Sequence, residues 1–346
     1  MSWLEKLVKG NNYLHPGIDI GTSSVKVVQS EKKGKRYTLK KFGVKPYKEQ
    51  AFAGAEIVDE IEITNTLREL LEELKIKDRK AQIHIPLHSC FYSVISVPKS
   101  KDPEEAVSDY IKSIIQAEEF SKIKVDYRIL PISIEKRHVD IAIAAIKNEV
   151  IEERKKLLKR IKIEPVVIDI EPAALNNQYY LNNPQNVAVP VCLIDIGATF
   201  TKITISFGGY PYITRNVEFG GDNLTENIQK EFMLTQEEAE KLKANFKMSE
   251  NNKLKDIIYS FLNRISTETL WTIESFKDRF NLNIEEILLY GGTSKLNGIE
   301  EMFASLINLK VKRGYPLHFS GLEGHEELAV ATGLSIRKKG DENAKV

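Results

Sequence analysis

Apolar and polar positions repeat one short phrase twice, about half a chain apart. Gly17-Ile18 leads into Asp19-Ile20-Gly21-Thr22-Ser23-Ser24-Val25-Lys26 and on to Val27-Val28. Val191-Cys192-Leu193-Ile194 leads into Asp195-Ile196-Gly197-Ala198-Thr199-Phe200-Thr201-Lys202 and on to Ile203-Thr204-Ile205. Each phrase reads as strand, tight turn, strand. Two matched hairpins imply two related α/β halves facing one another, each a mixed sheet covered by helices. Between them, Leu67, Leu70, Leu71 and Leu74 recur at helical spacing over residues 64–76. The pattern then changes to short strands over 81–86, 90–97, 125–133 and 139–146, with one amphipathic helix over 103–119. That helix has Asp102 as N-cap, Pro103 in its first turn, and Ala106, Val107, Tyr110, Ile111, Ile114 and Ile115 as its buried stripe. The stretch is predicted to be an inserted α/β subdomain. A charged helix over 149–161 leads back to a strand over 166–170. After the second phrase come a Gly220-Gly221 turn, helices over 223–232, 236–246 and 254–280, and a strand over 287–290. A final helix over 326–336 carries Ala329, Ala331 and Gly333, small residues that permit close packing.

The 346 residues exceed a typical domain of roughly 100 to 200, consistent with two core-bearing halves. Lys and Arg (50) nearly balance Asp and Glu (49), so no global field draws the chain to nucleic acid or anionic lipid. No apolar run approaches the roughly 20 residues that span a bilayer, and no basic region followed by an apolar stretch marks an export signal, so a cytoplasmic protein is expected. Cys90 and Cys192 lie in strand-like apolar runs and read as core thiols rather than a disulfide.

The hairpins carry the candidate chemistry. A turn of Gly and hydroxyl residues can aim backbone N–H groups at phosphate oxygens, while the leading Asp supports a magnesium ion or its waters. Lys26 can add a point charge. One such phrase is equally well an ordinary turn, but two make opposed phosphate clamps. Gly291-Gly292-Thr293 ends a buried strand without side chains that would obstruct a flat adenine and its ribose. Glu240 and Lys243 share one helical face. His84 and His88 flank Pro86 in strand-like sequence, so they cannot share a helical face as a metal pair would, and they read as solvated or structural.

These residues resemble the actin, sugar-kinase and heat-shock-chaperone superfamily, whose five signatures occur here in order. They are the two hairpins, a first connecting helix at Asp169-Ile170-Glu171-Pro172-Ala173-Ala174-Leu175, the Gly291-Gly292-Thr293 loop, and the last helix. The resemblance implies an actin-like two-lobed α/β fold with two ribonuclease-H-like halves, binding ATP and magnesium. Asp19 and Asp195 would support the metal through water, and Gly21, Thr22, Ser23, Ser24 and Lys26 would hold phosphates with Gly197, Ala198 and Thr199. Gly220 and Gly221 complete that side, Glu240 and Lys243 would hold ribose and adenine, and Glu171 with Asp195 are the candidate catalytic groups, Glu171 orienting water.

Within that superfamily the chain resembles the PilM family of type IV pilus assembly. It does so through Gly17 to Lys26, the insert opening at Ile83 to Pro86, Pro98, Asp126-Tyr127 and the return at Val167 to Leu175, although Glu119-Phe120-Ser121 stands where the family usually has Ile-Pro. The resemblance implies an SHS2-like insert over 81–165, a first lobe over 1–80, a remainder with the second lobe over 166–340, and a polar tail over 341–346. It also implies a scaffold whose groove between first lobe and insert grips the N-terminal peptide of a PilN-like inner-membrane protein, with other platform and motor proteins and self-association left open. A scaffold needs only different affinities in its nucleotide states, so slow hydrolysis suffices. The alternatives are an FtsA-like division protein and a small-molecule kinase. The polar segment after Arg337 lacks the apolar face of a division relative's membrane helix. Trp3, Leu4, Leu7 and Val8 are expected to pack or fray rather than touch lipid.

Overall fold

Asp19 stands opposite Lys26 across an antiparallel strand pair, and Asp195 stands opposite Lys202 in the same way. This repeated register organises two sheets. The computed structural model describes residues 14–34, 36–249, 252–316 and 324–337, so the expectations for Trp3, Leu4, Leu7, Val8 and the 341–346 tail lie outside the described residues.

The first half begins with β1 (Gly17–Ile20), β2 (Ser24–Lys33) and β3 (Arg36–Pro46), then a ribbon of β4 (Phe52–Ala53) and β5 (Glu56–Ile57), α1 (Glu60–Glu73) and β6 (Lys80–Ile85). Asp59 caps α1 by accepting from the N–H groups of Ile61 and Glu62, a contact worth about 1 kcal/mol. Next come β7 (Cys90–Pro98), α2 (Pro103–Ile114), β8 (Ile123–Ile129), β9 (His138–Lys147), α3 (Asn148–Arg160), β10 (Glu164–Ile170) and α4 (Glu171–Asn182). The second half comprises β11 (Val191–Ile196), β12 (Thr201–Phe207), β13 (Tyr210–Val217), α5 (Gly221–Phe232), α6 (Gln236–Ala244) and α7 (Asn252–Phe280). It ends with β14 (Glu286–Tyr290), α8 (Ile299–Ile307), β15 (Lys310–Arg313) and α9 (Ala329–Ser335).

The two five-stranded sheets have one topology. Their orders are β3-β2-β1-β6-β10 and β13-β12-β11-β14-β15, with the hairpin strands antiparallel and the last two parallel to the central strand. The internal repeat is therefore a repeat of architecture. Each central strand is buried on both faces: β1 is buried along its whole length, and β11 puts Cys192, Ile194 and Ile196 into one core and Val191 and Leu193 into another, which is why 191–194 reads as an apolar run. The predicted leucines of α1 form one core with Ile18, Val25, Val27 and Ile83.

The inserted sheet, β7-β9-β8, carries α2 on one face through Val107 and Ile111 against Ile141, Ile143 and Ala145. It is smaller than the sequence pattern implied. The strand predicted over 81–86 pairs in parallel with β1 and β10, and α3 buries Leu157 and Leu158 in the first lobe's core, so both belong to that lobe. Alternation identifies a strand without identifying its neighbour. The insert helix also stops early, because Ile115 turns extended and leaves Ile114 exposed, while residues 117–122 form a 3-10 turn. Cys90 and Cys192 are free thiols; Cys192 is buried in the core as expected, whereas Cys90 is only half-buried.

α9 wedges between α4 and β1. A Cβ on Gly333 would lie 1.7 Å from the Ala174 carbonyl oxygen, and one on Gly17 would lie 2.2 Å from that of Ala331. Small residues at these crossings let backbones touch. Ser30 Oγ and Ser335 Oγ are 2.6 Å apart, tying α9 to β2.

Candidate functional site

Both hairpin turns close with the same hydrogen bond, Gly21 N–H to the Ser24 carbonyl and Gly197 N–H to the Phe200 carbonyl. They face one another across a cleft of about 740 Å³. At its lips the Thr199 hydroxyl lies 2.9 Å from that of Thr22 and 3.1 Å from an Asp222 carboxylate oxygen. On the first side, Asp19 is buried with one oxygen 3.0 Å from His84 Nε2 and the other 3.3 Å from Lys26 Nζ. Burial works to raise the Asp19 pKa, but Lys26 and the His84 hydrogen bond outweigh it and hold the carboxyl well below its usual range. The Lys26 ammonium folds back over the turn, where a Cβ on Gly21 would meet it at 2.6 Å.

On the second side, Lys202 Nζ lies 2.9 Å from Glu171 and 3.5 Å from Asp195. The other Glu171 oxygen accepts the Leu87 N–H at 3.1 Å. Burial pushes Asp195 upward, and the neighbouring carboxylates of Glu171 and Asp19 add to it against the pull of Lys202. For Glu171 the charge of Lys202 overcomes burial, and its pKa falls. Asp195 thus has the less committed carboxylate of the two leading aspartates.

Small residues let the nearby backbone close in. A Cβ on Gly220 would strike the Ala198 carbonyl at 2.3 Å, and Gly221 N–H donates to the Gly197 carbonyl. Gly291, at φ +85°, lies so near the second hairpin that a Cβ would meet Asp195 at 2.4 Å. Lys243 Nζ reaches Glu240 at 2.6 Å, Thr225 at 2.6 Å and the Gly221 carbonyl at 3.2 Å, so α6 is stapled to the start of α5.

Of the residues singled out from sequence, the cleft is lined by Asp19, Gly21, Thr22, Ser23, Ser24, Lys26, Glu171, Asp195, Gly197, Ala198, Gly221, Glu240, Lys243, Gly291, Gly292 and Thr293. Gly220 lies beneath the Ala198 carbonyl and Thr199 spends its hydroxyl at the lips, so neither is among the lining residues. Sequence reasoning missed Lys202, although its symmetry with Lys26 was in view. It also set aside His84, which β6 places on the Asp19 carboxylate, and His88, whose ring stacks on Phe200 at 4.9 Å. Arg154, from α3, lines the cleft too, and no motif pointed to it.

Burial pushes the His88 pKa down to about 4 from 6.5. Between those values the unfolded chain binds a proton that the folded chain refuses, so this contribution is complete above pH 6.5 and is lost on acidification towards pH 4. His88→Gln should therefore lose less stability than the unsubstituted chain between pH 7 and pH 4.5, read from urea midpoints. Equal losses would remove His88 from the acid response.

Two like sheets carrying facing hairpins over a shared cleft define the actin-like class. The chain belongs to the type IV pilus assembly protein PilM family, whose sequence profile matches residues 17–337. Among solved structures it is similar to a PilM-PilN type IV pilus biogenesis complex, at 24% identity and TM-score 0.79, covering 93% of this chain and 98% of that one. It is also similar to MreB5 of Spiroplasma citri bound to ADP, at 13% identity and TM-score 0.56, covering 95% and 97%. Cell division protein FtsA of Bacillus subtilis (strain 168) is 24% identical over 67% of this chain, and the match spans 58% of that protein's length. Among the described residues, no helix is long and apolar enough to cross a membrane, and no group of three or more His, Cys, Asp or Glu could hold a metal.

Proposed function

We propose that the chain is an ATP-binding, actin-like scaffold of the type IV pilus inner-membrane platform. The observation that carries this reading is the pair of identically bonded turns that meet across the cleft at Thr22 and Thr199, an arrangement in which backbone N–H groups of both turns would face one phosphate chain. The ADP-bound MreB relative has the same fold. Magnesium fits the donor set as an ion held by one or two carboxylates, its own waters and phosphate oxygens, a mode that needs no cage of protein ligands. Asp195 would bear most of that role, since both Asp19 oxygens already have partners. A bound ion would offset phosphate charge. Lys26 and the turns hold the phosphates, Gly291 and Gly292 keep the base pocket open, and the Lys243–Glu240 pair fixes its wall. Glu171 would be the group that orients water, released from Lys202 and the Leu87 N–H that hold it here.

The partner in this reading is the extended N-terminal peptide of a PilN-like membrane protein, as the PilM-PilN relative suggests. The chain would then work in the cytoplasm and reach the inner membrane through that partner. A groove of about 210 Å³ lies between the insert and the first lobe, lined by Lys124, Asp126, Ala144, Ile146, Ile151, Lys155 and residues 168–170. The outermost strands flanking it, β8 and β10, each end a sheet, and such edges with apolar pockets suit an extended segment. Ile151→Arg, at a half-buried groove position, should weaken binding of a synthetic PilN N-terminal peptide at least about tenfold, or about 1.4 kcal/mol. Fluorescence titration with and without magnesium-ATP tests this, and an unchanged affinity for the variant would move the peptide elsewhere.

A further inference from the structure

Among the described residues, every cation on the floor of the cleft has a carboxylate partner except one. Lys26 has Asp19, and Lys202 has Glu171 and Asp195. Arg154 is 3% exposed, and its Nε and Nη1 are buried without a hydrogen-bond partner among the described residues. Its helix explains how it gets there. Leu157 and Leu158 share its face of α3 and enter the first lobe's core, and one turn earlier the core gives way to the cleft that Arg154 lines. Burial pulls the guanidinium below its ordinary range, and Glu153, Tyr47, Glu171 and Asp19 act on it without forming an ion pair. An unpaired buried charge costs several kcal/mol, so a chain that keeps one has a use for it in another state.

Its surroundings specify the anion. Arg154 lines the same cleft as the first hairpin turn, where the apolar Phe52, Pro86 and Phe200 stand among charged lining residues. Tyr47, which acts electrostatically on Arg154, donates its hydroxyl to the Gly21 carbonyl of that turn at 3.0 Å. The planar fork of a guanidinium matches two oxygens of a phosphoryl group, and the burial of Arg154 strengthens such a contact. We propose that Arg154 recognises the terminal phosphoryl group of a nucleoside triphosphate, and thereby sets the preference of the cleft for a triphosphate over a diphosphate. This rests on the nucleotide reading above and adds to it the residue that tells the two nucleotides apart.

The test compares the full chain with Arg154→Met, which keeps the volume and removes the charge, by calorimetric titration with ADP and with the imido analogue of ATP, both in magnesium. ADP affinity should stay within about twofold, while preference for the triphosphate analogue falls at least tenfold. Without nucleotide the variant should melt higher, by about 2 °C or more, because it no longer buries an unpaired charge. If Arg154→Met does not fold, Arg154→Lys keeps the charge but loses the fork, and an intermediate fall in preference is expected. Equal losses for both nucleotides, or an unchanged preference, would overturn the proposal while leaving nucleotide binding intact. Failure of the unsubstituted chain to bind either nucleotide would overturn both readings.

Discussion

Asp195→Ala should lower the affinity for magnesium-ATP by at least about a hundredfold, or about 2.8 kcal/mol, while leaving the melting temperature of the free chain unchanged or slightly raised. The two halves of that expectation have one cause. Burial and the neighbouring carboxylates of Glu171 and Asp19 push the Asp195 pKa up, so its charged form is held against repulsion in the free fold. Removing it leaves Lys202 still paired with Glu171 at 2.9 Å, so no buried cation is stranded. The carboxylate thus contributes little to the free fold and much to any cation and phosphate that enter, the usual trade between stability and function at a binding site. Isothermal titration in magnesium, repeated in EDTA, checks the first half and a melting curve the second. In EDTA the unsubstituted chain should approach the variant. An affinity for magnesium-ATP equal to that of the unsubstituted chain would sink the clamp assignment.

Gly333→Ala should destabilise the chain by about 3 kcal/mol, large for the addition of one methyl group. The new Cβ would sit 1.7 Å from the Ala174 carbonyl oxygen, and the obstacle is backbone, so no side-chain rotation relieves it. Helix propensity acts the other way, favouring Ala by about 1 kcal/mol in a helix interior. The clash is the larger effect because α9 and α4 must separate to accommodate it. Urea unfolding measures the change, and a variant as stable as the unsubstituted chain would mean that the two helices do not cross this closely.

Much of this was legible in sequence because backbone-level signals are local. Asp-Ile-Gly with a hydroxyl residue within the next two positions reads as a tight turn, and its recurrence at 19 and 195 points to the second sheet as well as the first. Leu67, Leu70 and Leu71 show their buried face in their spacing, and Gly333 its crossing in its size. Signals that depend on partners distant in sequence were not legible. Residues 81–85 read as strand, but their place beside β1 is decided by β1 and β10. His84 looked solvated or structural because nothing in its neighbourhood names Asp19, 65 positions earlier, as its partner. Arg154 sits in a charged helix where most such residues are solvated, and only the packing of Leu157 and Leu158 turns it inward.

The position of α9 has a consequence for synthesis on the ribosome. It packs on β1 and β2, the first two strands among the described residues, and the Ser30–Ser335 hydrogen bond spans 305 residues. The first sheet's strands are made well before the helix that covers them, and they wait until α9 has been translated. Contacts at such sequence distance form slowly, and the apolar faces that await them stay exposed meanwhile. The insert and the second sheet can reach their native pairings while the first lobe is still open along one side. Nascent chains stalled before residue 329 should therefore be held by chaperones through the N-terminal strands, and release should coincide with the emergence of the helix that carries Gly333.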